Sequence, residues 1–144
     1  VKTGFISTKS SLKHDTGDGH PENRFRIQSI LERLKKRDLS DLEWSEPKKF
    51  DEVYLKKTHN SLYIDEVKKA FPTTGKFFLD GDTIISPGSK EASYDAVSSI
   101  VSAVDLVKTN KLKNAFCAVR PPGHHAEYDK AMGFCIYNNV AVGA

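Results

Sequence analysis

A sequence of 144 residues with 38% hydrophobic and 28% charged side chains suits one soluble domain, or part of a larger one, with enough chain to bury a sizeable core. The 22 Lys and Arg against 19 Asp and Glu give a formal charge of +3, too weak a surplus to call for nucleic acid. No run nears the ~18 apolar residues of a membrane span, the start lacks a signal-peptide pattern, and the two cysteines, Cys117 and Cys135, read as reduced thiols of a cytoplasmic protein.

Along the chain, Thr3–Ser7 reads as a short strand. The polar residues 14–21 follow, and their glycines and proline predict a defined but irregular backbone. Pro21 suits the first turn of a helix. Phe25, Ile27, Ile30, Leu31 and Leu34 then recur at helical spacing, with Arg33, Lys35 and Lys36 on the other side. The basic run 35–37 reads as a solvated helix end that complements the helix dipole. Residues 40–57 carry weaker signals, although 50–55 can form a helical turn or two. Asn60 or Ser61 can cap a second helix that buries Leu62, Tyr63, Val67 and Phe71 and stops at Pro72. Residues 73–89 read as a loop.

The third helix is the clearest. Ser89 is its predicted N-cap, with Glu91 in the first turn. Ala96, Val97, Ile100, Val101, Val104 and Val107 form one stripe, and Ser98, Ser102 and Asp105 lie opposite. After a turn at Asn110, residues 115–119 make a short apolar run. It reads as a strand buried on both faces of a parallel sheet, and the order helix, strand, loop predicts an α/β architecture.

The loop after that strand carries the strongest chemical signal, Arg120-Pro121-Pro122-Gly123-His124-His125. Ligands of α/β sheets bind beyond the carboxyl ends of strands. Two prolines stiffen this loop, Gly123 permits a tight turn, and two imidazoles suit proton transfer near neutral pH. The plain alternative is a pair of exposed histidines, or histidines satisfied by backbone carbonyls. Neighbouring residues in a strand-like loop point to opposite sides, so the pair is not expected to share one metal ion. Gly133 allows close approach of a substrate and Phe134 can wall an apolar channel; the alternative is that Phe134 is core. Cys135 reads as an inert buried thiol.

These residues resemble the histone deacetylase superfamily. RPPGHHA at 120–126, GFC at 133–135 and NNVA at 138–141 are similar to its active-site segment. HDTGDGHPE at 14–22 resembles its opening motif, and LDGDT at 79–83 with SPGS at 86–89 resembles the lead-in to its alanine- and valine-rich helix. The wording RPPGHHA is more like the class II and bacterial branch, which includes acetoin-utilisation-type proteins and acetylpolyamine amidohydrolases. Arg24, where HPE-x-Pro is more usual, departs from the pattern.

The resemblance implies a three-layer α/β/α fold around a parallel sheet, of the arginase/deacetylase type. Residues 1–144 would be the N-terminal portion of one catalytic domain. Val1 in place of Met, and the apolar finish at Ala144, likewise read as a cut from a longer sequence. The implied activity is zinc-dependent hydrolysis of an acetyl or acyl amide, on acetyl-lysine or an acetylpolyamine. His125 would be general base and then general acid, with His124 as its electrostatic partner. Gly133 would line the acyl channel, Phe134 would form one of its walls, and residues 73–82 would lie near the rim. The family's zinc ligands, two aspartates and a histidine, would lie beyond Ala144, so no metal ligand is expected within the chain. The chain alone is then expected to be inactive, with exposed sheet edges that favour self-association. The location implied is cytoplasmic, or nuclear in a eukaryote. The rival reading is a non-catalytic remnant that binds a partner or an acylated ligand; a small Cys/His hydrolase is a third.

Overall fold

Thr3–Ser7 (β1) is the hub of the sheet in a computed structural model that describes residues 2–144. It pairs in parallel with Leu42–Ser45 (β2) on one side and with Asn114–Ala118 (β5) on the other. The register sets Phe5 opposite both Trp44 and Phe116. Strand alternation therefore gathers Phe5, Leu42, Trp44, Phe116 and Ala118 on one face and puts Ile6 and Cys117 on the other.

Each face has its own helix. Arg24–Lys35 (α1) lays Ile27, Leu31 and Leu34 against Phe5, Leu42 and Ala118. Ser89–Lys108 (α4) covers the opposite face, where the Cys117 thiol donates to the Ser99 carbonyl at 3.5 Å. The result is the helix–sheet–helix layering that a parallel sheet requires. A second core lies on the far side of α4. Val53–Thr58 (α2), Ser61–Ala70 (α3) and residues 131–137 meet there around Leu55, Ile64, Val97 and Ile136. Phe77–Phe78 (β3) and Ile84–Ile85 (β4) form a two-residue antiparallel ribbon, and Asn139–Gly143 (α5) follows the candidate site. No helix among the described residues is long and apolar enough to cross a membrane.

Several local expectations need correction. Pro21 stands in the loop ahead of α1, whose cap is Asn23; its Oδ1 accepts the Phe25 N–H at 3.1 Å. Asn60 caps α3 in the same way, but Leu62 is 71% exposed and Ile64 is buried beside Tyr63 and Val67. Ser89 is the first residue of α4 rather than its cap. Gly88 holds the cap position because a Cβ there would run into the Lys13 carbonyl. The buried surface of α4 is also wider than the predicted stripe and takes in only part of it. Ala92, Ser93, Ala96, Val97, Ser98, Ser99 and Ala103 are buried, whereas Val104 is exposed. A helix squeezed between a sheet and a second core is covered on two sides, and small residues allow the close approach. The hydroxyls of Ser98 and Ser99 are satisfied within the helix, on the Tyr94 and Asp95 carbonyls at 2.9 and 2.7 Å. Finally, β5 is not buried on both faces. It lies at one side of the sheet among the described residues, α1 reaches Ala118, and Phe116 is left 56% exposed.

Candidate functional site

The candidate site lies where the chain leaves β1 and β5 in different directions. The chain after β1 leads to α1 on one face of the sheet. The chain after β5 leads to α5, which packs against α4 on the other. Two connections that diverge at adjacent parallel strands leave a crevice at their carboxyl ends. The Ser7 hydroxyl ties the two ends together by donating to the Ala118 carbonyl at 3.0 Å.

Arg120, two residues past β5, turns inward and is 1% exposed. All five of its guanidinium donors find acceptors. Nε donates to Glu22 Oε1 at 2.6 Å, and Nη2 donates to Glu22 Oε2 at 2.8 Å and to the Glu22 carbonyl at 3.3 Å. Nη1 donates to the Ser11 carbonyl at 2.7 Å and the His14 carbonyl at 2.9 Å. Glu22 is itself 3% exposed. A planar fork matched to a carboxylate suits this position better than a lysine ammonium would. The pair fastens the opening loop, 14–22, to the loop that carries the histidines.

His14 links the third motif. Its Nδ1 lies 2.6 Å from Ser89 Oγ, and Asp15 N–H donates to Ser86 Oγ at 2.9 Å. Ser89 Oγ also accepts the Ser86 N–H at 2.7 Å and lies 3.1 Å from Ser86 Oγ. His14 Nε2 faces Glu22 Oε2 at 3.7 Å. Burial, reinforced by the nearby Arg120 guanidinium, pushes the His14 pKa down to about 3. His14 is therefore neutral at physiological pH, a structural group rather than a proton shuttle.

The tandem histidines sit in a turn closed by the Ala126 N–H on the Gly123 carbonyl, at 3.1 Å. Their ring centroids are 4.3 Å apart, and both side chains are exposed. The expectation that they point to opposite sides holds for extended backbone, and it fails here because central turn residues can share a side. Gly123 is required, since a Cβ would collide with the Asn139 side chain and the Tyr137 carbonyl. Asn138 Nδ2 donates to the Ala126 carbonyl at 2.9 Å, and the Asn138 N–H donates to buried His59 Nε2 at 2.9 Å. Burial lowers the His59 pKa, which keeps that nitrogen free to accept.

A second turn faces the first. Met132 and Cys135 exchange both backbone bonds, at 3.2 and 2.9 Å, around Gly133 (φ 54) and Phe134 (φ 71). Positive φ at both central residues is the signature of a type I′ turn, and it strains a bulky residue such as Phe134. A Cβ at Gly133 would lie 2.9–3.1 Å from ring carbons and Cβ of His125. The Phe134 N–H donates to buried Thr83 Oγ1 at 3.1 Å, and its ring meets His20 edge-on at 4.8 Å. His20 Nε2 in turn lies 3.2 Å from the Asp82 carbonyl, and Lys76 pairs with Asp15 at 3.1 Å. Phe134 is thus half-buried at the wall of the site and is not core. Cys135 is fully buried, and burial raises its thiol pKa.

The structure therefore brings His124, His125, Gly133 and Phe134 together in one place. Sequence reasoning did not assign Glu22, Arg120, His14, His20 or Thr83. All five lie inside quoted motifs, but nothing in linear order pairs residues 22 and 120. Among the described residues, no three His, Cys, Asp or Glu side chains are placed to hold a metal ion. Two exposed imidazoles side by side are groups of the type that general acid–base catalysis uses.

Comparison with known proteins points one way. Residues 20–144 match the model of the histone deacetylase domain. The chain is 37% identical to histone deacetylase 5 of Arabidopsis thaliana, across 99% of this chain and 23% of that protein. It is 34% identical to histone deacetylase 7 of Homo sapiens, across 97% of this chain and 18% of that protein. The crystal structure of the HDA15 HD domain superposes with a TM-score of 0.89 at 26% identity, covering 99% of this chain and 42% of that one. The chain thus spans less than a quarter of the length of these two curated relatives.

Two measurements test the buried network. Glu22→Gln leaves the Arg120 guanidinium without its counter-charge and is expected to cost about 3–5 kcal/mol in urea denaturation at pH 7; a loss below about 1 kcal/mol would mean the pair does not anchor the loops. His14 also makes stability pH-dependent. Above pH 6.5 the ring is neutral folded and unfolded, so stability is intact; between 6.5 and about 3 only the unfolded chain takes the proton. Stability should fall across that window by up to about 1.4 kcal/mol per pH unit, beginning above the range in which the carboxylates titrate. His14→Asn keeps a hydrogen-bonding group near Ser89 and should flatten the fall in melting temperature between pH 6.5 and 4; an unchanged slope would exclude His14 as its source.

Proposed function

The chain belongs to the histone deacetylase family, and from that premise we propose that it is the N-terminal portion of one catalytic domain that hydrolyses an acetyl or acyl amide. The observation that carries this reading is the tandem-histidine turn. The centroids of its two imidazoles stand 4.3 Å apart, with Gly133 against His125 and Phe134 next along the chain. Amide hydrolysis needs a proton taken from the attacking water and a proton given to the leaving amine. His125 does both in turn, and His124 steadies the charge as its neighbour changes state. Phe134 walls the passage for the aliphatic stem of the substrate, and Gly133 lines it with bare backbone. Acetyl-lysine and acetylpolyamines both fit that description. His20 meets the Phe134 ring, and residues 73–82 would lie near the rim where a substrate enters.

Zinc is the cofactor this reading calls for. The described residues do not build its site, and the roles given above are those of the chain's own side chains. The chain by itself is read as inactive, and the protein as cytoplasmic, or nuclear in a eukaryote.

The test uses the natural-length, zinc-loaded protein on an acetyl-lysine peptide and on an acetylpolyamine. His125→Ala should lower kcat by about 10²–10⁴-fold, and His124→Ala by less. Full activity in His125→Ala would overturn the assignment, and inactivity of the intact protein on both substrates would favour the binding-module reading. The 144-residue chain should show no turnover above its His124→Ala/His125→Ala double variant. The same reading leaves β5 with an unpaired outer edge and Phe116 exposed, which favours self-association of the chain. Sedimentation should show oligomers that dissociate on dilution; a clean monomer with a sharp cooperative melt would count against it.

A further inference from the structure

We propose that Cys135 is a positioning residue for His125: its thiol holds the His125 backbone and the glycine on which the His125 ring rests. The proposal builds on the reading of His125 as the proton-transferring group. Its support is geometric. The Gly123–Ala126 turn uses the Ala126 N–H to close itself and leaves the His125 N–H to find another acceptor. That acceptor is Cys135 Sγ, at 3.4 Å. The same sulfur donates its proton to the Gly133 carbonyl, also at 3.4 Å.

One atom therefore joins two things that define the His125 ring. It fixes the backbone from which the ring springs. It also fixes Gly133, which stands so near the ring that a Cβ would meet it at 2.9 Å. Donating and accepting at once requires a neutral thiol, and complete burial keeps Cys135 in that form. The Met132–Cys135 turn explains why the sulfur points inward: it carries Phe134 to the mouth of the site and returns Cys135 to the interior. A buried, protonated thiol is a poor nucleophile, so the role is support and not covalent chemistry.

The experiment is NMR on the natural-length protein, reading His125 amide exchange and the titration of the His124 and His125 rings from pH 5 to 9. In the wild type the His125 amide should exchange at least about tenfold more slowly than an unprotected peptide. Cys135→Ala should remove that protection and move the His125 titration midpoint, while the buried His14 and His59 signals stay in place. Cys135→Ser retains a group that both accepts and donates, and it should restore the exchange rate to within about threefold of wild type. An unprotected His125 amide in the wild type would overturn the proposal, even if Cys135→Ala fails to fold. So would a folded Cys135→Ala with wild-type exchange and titration. None of these readings involves turnover, so a failed activity test of His125 would refute the catalytic assignment and leave this result separately decidable.

Discussion

The guanidinium of Arg120 and the carboxylate of Glu22 meet where two irregular loops cross, almost a hundred residues apart in the chain and both shut away from water. Loops have no ladder of their own, so their buried carbonyls need donors from elsewhere. Arg120 supplies them to Ser11, His14 and Glu22 while neutralising the one buried carboxylate nearby. Desolvating two charges is unfavourable by several kcal/mol per ion, and only complete pairing with good geometry recovers it. The arrangement meets that condition. What it provides is position: the opening loop, the start of α4 and the histidine turn are held in one register by a single side chain and its contacts.

From that anchor the candidate site follows in two steps. His14, fixed beneath Arg120, docks the Ser86–Ser89 segment and so places the first turn of α4. Thr83, just before that segment, receives the Phe134 N–H and draws the second turn against the first. Three motifs that are separate in sequence thus become one surface. Its chemistry rests on exposed imidazoles, while the buried imidazoles of His14 and His59 serve as neutral hydrogen-bonding groups. Burial sets His14 and His59 apart from the exposed tandem pair, and half-buried His20 stands between the two kinds, against the Phe134 ring.

The sequence made local features legible where a local rule governs them. β1 matches its expected limits, Asn60 caps α3 as its side chain predicts, and the loop after β5 carries the histidines. The α/β layering was also readable, because a long helix followed by a short apolar strand has few other solutions. Expectations failed where distant packing decides. β2, with the sequence Leu-Glu-Trp-Ser, alternates apolar and polar residues over only four positions, too short a run to announce a strand by itself, and it exists because β1 offers an edge. The serines of α4 are buried because the helix is pressed from two sides. The two histidines share a side because the backbone turns there. The Arg120–Glu22 contact obeys no periodicity at all, and residue type alone could not have found it.

The left-handed backbone at Phe134 has a consequence for how this surface can change. Every residue with a Cβ is strained at φ 71, β-branched residues most and Asn or Asp least, because the clash arises close to the backbone. Exchanging the ring for another side chain unbranched at Cβ therefore changes the conformational penalty of the turn little. Gly133 has no such latitude, since its neighbour is the His125 ring. Two adjacent positions thus differ sharply in mutational tolerance: one is a fixed abutment, and the other is a socket into which side chains of different shape can be fitted without rebuilding the frame around it.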